Sequence, residues 1–252
     1  MIDTHCHLDA AEFDGDRREV HAAAQALGVA KLVVPAVAVA GFAKTRQTVA
    51  QYAGCVAAYG IHPLYVMQAA EGDLVALRQW LADENPVAVG EIGLDHYVSG
   101  FDPLRQEYFF VEQLKLAREF DLPVLLHVRR AVDPVLKQLR RFRVRGGIAH
   151  AFNGSRQQAE AFIQLGFALG FGGAMTFTGS TRIRALAAEL PLESIVLETD
   201  APDIPPAWLN GGRNTPAELP AIADVLAELR GMTRDAVVAA TVANTRRVLP
   251  SI

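Results

Sequence analysis

The chain has 252 residues, 51% of them hydrophobic and 21% charged, with a formal net charge of −4 at pH 7. That length suits one large domain over 1–252, and the apolar share excludes a mainly disordered chain. No global basic field exists to draw in nucleic acid or an anionic membrane, so a polyanionic substrate would have to be held by local arginines or by bound metal.

Short runs rich in β-branched residues alternate with amphipathic stretches. In chain order the sequence predicts strand Met1–Thr4, helix Asp14–Leu27, strand Lys31–Ala36, helix Ala40–Tyr52, strand Cys55–Gly60 and helix Gly72–Ala82. There follow strand Val87–Ile92, helix Pro103–Phe120, strand Pro123–His127, helix Val132–Arg141, strand Gly147–His150 and helix Ser155–Leu165. Strand Ala168–Gly172, helix Ser180–Glu189, strand Ile195–Asp200 and two closing helices, Pro216–Leu229 and Thr233–Val248, complete the pattern. Strands such as Val124-Leu125-Leu126 are apolar on both faces, as a parallel sheet buried under helices requires. Strict alternation implies parallel pairing with right-handed crossovers, and eight such strands fit a closed (β/α)₈ TIM barrel. A doubly wound open sheet would normally carry a Gly-rich phosphate loop after its first strand, where His5-Cys6-His7 stands instead. The most apolar run, Leu32–Ala43, holds Pro35 and Gly41 and is too short to span a bilayer. Two cysteines, Cys6 and Cys55, make no disulfide framework, and the opening residues show no secretory signal, so a cytoplasmic protein is expected.

Polar residues interrupt the apolar strands at their carboxyl ends. His5 and His7 follow the first strand, Glu91 ends the fourth, His127 the fifth and His150 the sixth, and Asp200 closes the eighth. In a barrel all these ends converge on the face where active sites are built. Side chains alternate along a strand, so His5 and His7 share a side. Four imidazoles and two carboxylates on one rim suit a divalent metal. His62, in Gly60-Ile61-His62-Pro63, points to the same rim as a hydrogen-bond donor or substrate contact, or else as a turn histidine fixed by Pro63. His21 reads as an ordinary surface residue within a helix, and His96 carries no assignment.

The motifs Ile2-Asp3-Thr4-His5-Cys6-His7-Leu8-Asp9, Gly60-Ile61-His62-Pro63, Val89-Gly90-Glu91-Ile92-Gly93-Leu94-Asp95, Arg105-Gln106, Pro123–His127, His150–Ser155 and Leu197–Pro202 span nearly the whole chain. In order and spacing the sequence resembles the TatD-type metal-dependent hydrolases, described as deoxyribonucleases, within the amidohydrolase-like barrels; Arg129-Arg130 is similar to the YjjV-type branch. The resemblance implies metal ligands at His5, His7, Glu91, His127, His150 and Asp200. By that resemblance His5, His7 and Asp200 hold one ion, His127 and His150 the other, and Glu91 bridges them. Ala151 and Asn153 depart from the Cys and Ser of many relatives, and Asn153 is expected to alter a substrate contact. The Gly211-Gly212-Arg213-Asn214 stretch is similar to a late loop of the family.

Two divalent ions (Mg²⁺, Mn²⁺ or Zn²⁺) ~3.5–4 Å apart suit phosphodiester hydrolysis. Asp200 would accept a proton from the attacking water, and Arg129, Arg130 and Arg213 offer guanidinium groups for phosphate oxygens. The expected activity is a 3′–5′ exonuclease acting on DNA, with catalytic Asp200 and Glu91 and substrate contacts at His62, Arg129 and Arg213. The alternative is hydrolysis of a small amide, lactone or phosphoester on the same barrel. No membrane association and no obligate protein partner are expected.

Overall fold

A computed structural model describes residues 1–252. Eight parallel strands lie in the order of the chain: β1 (Ile2–Asp3), β2 (Lys31–Pro35), β3 (Cys55–Tyr59), β4 (Ala88–Asp95), β5 (Val124–Arg129), β6 (Gly147–Ala149), β7 (Phe167–Phe171) and β8 (Ile195–Leu197). Between and after them run α1 (Arg17–Ala26), α2 (Phe42–Gln51), α3 (Glu71–Glu84), α4 (Pro103–Glu119), α5 (Val132–Arg141), α6 (Arg156–Gln164), α7 (Thr181–Glu189), α8 (Leu219–Arg230) and α9 (Arg234–Val248). The ring closes between β8 and the segment after β1: Thr4 N–H donates to Leu197 O at 3.1 Å, and Asp200 N–H donates to His5 O at 2.8 Å. A parallel bridge pairs Cys6 with Ala201. The fold is the (β/α)₈ barrel that the alternation predicts. Strand bounds differ from the expected ones mainly at the ends, where polar side chains leave the ladder for the rim.

Two apolar layers build it. Val33, Ala58, Ala88, Leu125, Ile148, Ala168 and Val196, one from each of β2 to β8, meet in the barrel interior with Val248 and Leu249 from the end of α9. Outward residues such as Leu32, Val34, Leu126 and Leu169 pack against the helices in a second, larger cluster. Burying each such side chain contributes about 1.5–3 kcal/mol. The interior layer sets most of the site by parity, while Glu91, three residues beyond Ala88, falls within the register shift between Val89 and Ile92 of β4. Two residues beyond Leu125 is His127; two beyond Ile148 is His150; two and four beyond Val196 are Glu198 and Asp200; and four beyond Ala58 is His62.

Helix ends are capped by local chemistry. Asp102 accepts from the Leu104 and Arg105 amides at the start of α4, with Pro103 in the first turn. Ser155 and Gln158 form a capping box on α6. The helix α4 also fixes the rim. Buried Gln113 accepts from Ile61 N–H at 2.6 Å and donates to Ile61 O at 3.0 Å, while Gln106 accepts from Asp95 N–H at 3.0 Å and donates to Pro63 O at 3.3 Å. The two glutamines, 11 to 52 residues from their partners in sequence, clamp the loops after β3 and β4. No helix is long and apolar enough to cross a membrane. Both cysteines are free and buried.

Candidate metal centre and active site

His5, His7, Glu91, His127, His150 and Asp200 converge at the carboxyl end of the barrel, and His62 joins them. Glu91, almost fully buried, divides its two oxygens between two groups. Its Oε2 lies 3.2 Å from His5 Nε2 and 3.6 Å from His7 Nε2, and Asp200 Oδ1 lies 3.6 and 3.8 Å from the same two nitrogens. Its Oε1 lies 2.9 Å from His150 Nε2, 3.0 Å from His127 Nδ1 and 3.5 Å from His62 Nε2. His5 and His7 act as a pair because the strand-like run continues past β1 through the Cys6–Ala201 bridge, bringing their rings edge to face at 5.0 Å. Left-handed backbone at Arg130, Ala151 and Asp200 turns the chain sharply after β5, β6 and β8. Such φ values in non-glycine residues store of order 1–3 kcal/mol and persist where surrounding contacts hold them.

Hydrogen-bond partners fix the imidazole tautomers. His7 Nδ1–H donates to Pro35 O at 3.1 Å, which leaves a lone pair on the inward Nε2. His127 Nε2–H donates to Asp95 Oδ2 at 2.9 Å, which leaves a lone pair on the inward Nδ1. His62 is the reverse: Nδ1 accepts from Leu64 N–H at 3.2 Å, so Nε2 carries the proton that faces Glu91. A neutral His62 in that tautomer is a donor into the site and offers no lone pair there.

This donor set fits a bound cation. The Nε2 atoms of His5 and His7 stand 3.3 Å apart, with two carboxylate oxygens beside them. Acceptors packed so closely need a shared positive charge. The combinations His5–His7–Asp200, His5–Glu91–His150 and His62–Glu91–His127 each bring ligand atoms within 4.8 Å of one another. The His62 tautomer counts against the third. Burial drives His5 down to about 3, with the stacked His150 ring 3.9 Å away adding to the effect, so His5 is the neutral form that a metal requires. Burial lifts Asp200 to about 7 against the pull of His150 and His7. Burial opposes charge on Glu91 too, but His62, His150 and His5 outweigh it and hold the carboxyl well below its usual range.

A second ring of buried acids supports the first, and strand-end reasoning missed it. Asp95 Oδ1 accepts from the Tyr97 and Val98 amides at 2.8 and 3.1 Å while Oδ2 holds His127. Burial opposes its ionisation, but these bonds prevail and bring it to about 2. Glu198 Oε1 accepts from Ala151 N–H at 2.5 Å and lies 3.6 Å from His150 Nδ1, whereas its buried Oε2 has no partner. Asp3 accepts from Thr199 N–H at 2.9 Å and from His5 N–H at 3.3 Å, tying β1 to the end of β8; burial lifts it to about 7. The signal was spacing: Asp95 is four residues beyond Glu91 and Glu198 two before Asp200, each even. Glycine marks both neighbourhoods. Gly93 has φ +149°, and a Cβ there would lie 1.9 Å from His127 O; at Gly170 it would lie 2.1 Å from Glu198 Oε2.

Other expected residues go elsewhere. Arg129 and Arg130 are exposed at the rim, with guanidinium carbons 3.9 and 4.6 Å from the Tyr97 ring centroid. The Arg213 head turns away from the basin, pairing with Asp16 at 2.5 Å, donating to Glu12 O at 2.6 Å and covering Phe13. Its neighbour Asn214 is fully buried and donates to Thr199 O and Asp203 O, each at 2.8 Å, so the late loop fastens the turn that carries Asp200. Asn153 is exposed and accepts from Arg182 at 2.6 Å. His21, expected at the surface, is buried instead: its Nε2 meets Ala53 O at 3.0 Å and its ring packs on Tyr52. His96 lines a groove between α4 and α5 with Leu104, Glu107, Asp133 and Lys137.

Comparison with known proteins identifies the family. Residues 2–250 match the family model described as TatD related DNase. The chain is 43% identical over 252 residues to YjjV of Escherichia coli K12, an uncharacterized metal-dependent hydrolase, covering 97% of this chain and 96% of that one. It is 33% identical over 260 residues to a protein of Cronobacter sakazakii named 3′-5′ ssDNA/RNA exonuclease TatD, covering 98% and 97%. The crystal structure of the Escherichia coli YjjV protein superposes with a TM-score of 0.96 at 40% identity, covering 99% of this chain and 98% of that one. A TatD family hydrolase of Entamoeba histolytica shares the fold, with a TM-score of 0.88 at 19% identity over 99% and 97% of the two chains. The chain belongs to the TatD family of metal-dependent hydrolases.

Proposed function

We propose that this chain is a two-metal phosphodiesterase that removes nucleotides from the 3′ end of single-stranded nucleic acid, with 1–252 forming one catalytic domain. The observation that carries the reading is the split carboxylate: Glu91 turns one oxygen to His5 and His7 and the other to His127 and His150. In this reading His5, His7 and Asp200 hold one ion, His127 and His150 the other, and Glu91 both. Two divalent ions, Mg²⁺, Mn²⁺ or Zn²⁺, when bound, polarise a phosphoryl oxygen and ease ionisation of water. Asp200 Oδ1 borders the basin and takes the proton from the attacking water. His62 presents Nε2–H from a tautomer fixed by Leu64 and donates to a substrate oxygen. Arg129 and Arg130 have no carboxylate partner and meet backbone phosphates at the rim. The Cronobacter relative is named as a 3′-5′ exonuclease of single-stranded DNA and RNA, which supports the nucleic-acid reading.

Cleavage of an end-labelled oligonucleotide and of a neutral ester, across a salt series with each metal, tests it. A chain carrying −4 that relies on a few rim cations should show a shallow salt slope, flattened by roughly one unit in Arg129→Ala. Rapid ester turnover that ignores salt, with no oligonucleotide cleaved under any metal, would instead establish a small amide, lactone or ester as the substrate.

A further inference from the structure

Five large aromatic side chains are substantially exposed: Tyr65, Tyr97, Tyr108, Phe177 and Trp208. Four of them stand on loops at the carboxyl ends of strands, Tyr65 after β3, Tyr97 after β4, Phe177 after β7 and Trp208 after β8. In a ring of eight, β3 and β4 lie opposite β7 and β8, so the loops that carry the aromatics stand in two pairs on opposite sides of the mouth.

Local contacts hold three of these rings in place. Tyr65 meets the His62 ring nearly edge-on, centroids 6.2 Å apart. Tyr97 is anchored through its amide to Asp95, the partner of His127. Trp208 donates Nε1–H to Glu218 at 2.7 Å, and the turn that carries it packs on the one leading to Phe177. The guanidinium groups of Arg129 and Arg130, neither with a carboxylate partner, lie over the Tyr97 ring, 3.9 and 4.6 Å from its centroid. A docking face for another protein would be a contiguous apolar patch. Here the rings are parted by a basin of imidazoles and carboxylates, and cations accompany one pair.

Resting on the nuclease reading, we propose that these aromatics are two stacking platforms for the bases of a single strand, Tyr65 and Tyr97 on one side and Phe177 and Trp208 on the other. Arg129 and Arg130 move off the Tyr97 ring to take the passing phosphates, which frees its face for a base. A ring accepts any base on its face, so binding is tolerant of sequence. A duplex offers its bases already paired and stacked, so only a frayed or single-stranded end engages the platforms. Platform stacking also lets an acidic chain hold a polyanion with few cations, because part of the binding comes from the bases.

The test is fluorescence anisotropy with the full chain loaded with Mn²⁺ and a labelled oligothymidylate whose 3′ linkages are phosphorothioate. An abasic strand of equal length and charge, and a blunt duplex, serve as the comparison ligands. The ordinary strand should bind about tenfold or more tightly than either comparison ligand. Tyr97→Ala and Trp208→Ala should each weaken the ordinary strand about tenfold while leaving the abasic strand within about twofold, and Tyr97→Phe should retain full binding. Equal losses on ordinary and abasic strands would assign the rings to loop support and overturn stacking. Ring variants that bind like the wild type, in an enzyme that still cleaves the strand, overturn the platforms and leave the nuclease reading intact. A wild type that neither binds nor cleaves any strand, yet hydrolyses a neutral ester, overturns both.

Discussion

Replacing Asp95 by Asn should switch the tautomer of His127 and with it the occupancy of one metal position. The acid does two jobs: Oδ1 accepts from the Tyr97 and Val98 amides at 2.8 and 3.1 Å, and Oδ2 accepts His127 Nε2–H at 2.9 Å. In Asp95→Asn the amide oxygen must stay with the two backbone donors, because an NH₂ group there would face two N–H groups. The new NH₂ then faces His127 Nε2, which can only accept. The ring proton moves to Nδ1, where it points at Glu91 Oε1 from 3.0 Å and removes the inward lone pair. Loss of such a supporting carboxylate costs about 10–100-fold in metal affinity, or roughly 1.4–2.8 kcal/mol. The loss should fall on the ion at His127 and His150 and spare the one at His5, His7 and Asp200.

Two measurements check this. Calorimetric titration of metal-free protein should resolve two ions in the wild type and one weakened ion in Asp95→Asn. Proton–nitrogen correlation spectra of the imidazoles should show His127 protonated at Nε2 in the wild type and at Nδ1 in the variant. Asp95→Ala differs, since it strands three donors and should also destabilise the fold by about 1–3 kcal/mol per buried group left unpaired. An Asp95→Asn protein that binds both ions like the wild type, with its His127 proton unmoved, would refute the tautomer argument.

Three further outcomes follow from the same contacts. Glu91→Ala should abolish turnover and weaken both ions, because each of its oxygens serves a separate group; elemental analysis of the purified variant decides, and full occupancy would remove Glu91 as the bridge. Gly170→Ala places a Cβ 2.1 Å from Oε2 of the buried Glu198, whose Oε1 is held by Ala151 N–H, so thermal unfolding should show a loss of about 1–3 kcal/mol, whereas wild-type stability would mean that Glu198 moves freely. Burial, aided by Asp3, pushes the Cys55 thiol up to about 12, so the fold keeps it neutral while the unfolded chain ionises it near its usual value. That stabilisation is intact below about pH 9 and is lost as pH rises towards 12; Cys55→Ala should therefore lose stability less steeply than the wild type over that window, as read by chemical denaturation.

The parts of the site that were legible in the sequence are those written along single strands. His127 and His150 end apolar runs whose alternation assigns them the barrel interior, in register with Leu125 and Ile148. His5 and His7 obey the same period even though β1 stops at Asp3, because one backbone bridge to Ala201 carries the extended conformation onward. What stayed hidden depends on which residues meet across the ring. Arg213 looked free for phosphate until the fold brought Asp16, 197 residues away in sequence, within 2.5 Å of it. Asp95 and Glu198 act on imidazoles rather than on a ligand, and nothing along β4 or β8 says which ring each one touches. Tyr65, Tyr97, Phe177 and Trp208 are scattered over 144 positions and share no motif; only the order of the strands sets their loops in pairs on opposite sides of the barrel. Period two places a side chain inside or outside the barrel. Charge partners, tautomers and platforms are set by neighbours from other strands, and those are the features on which metal affinity and substrate choice turn.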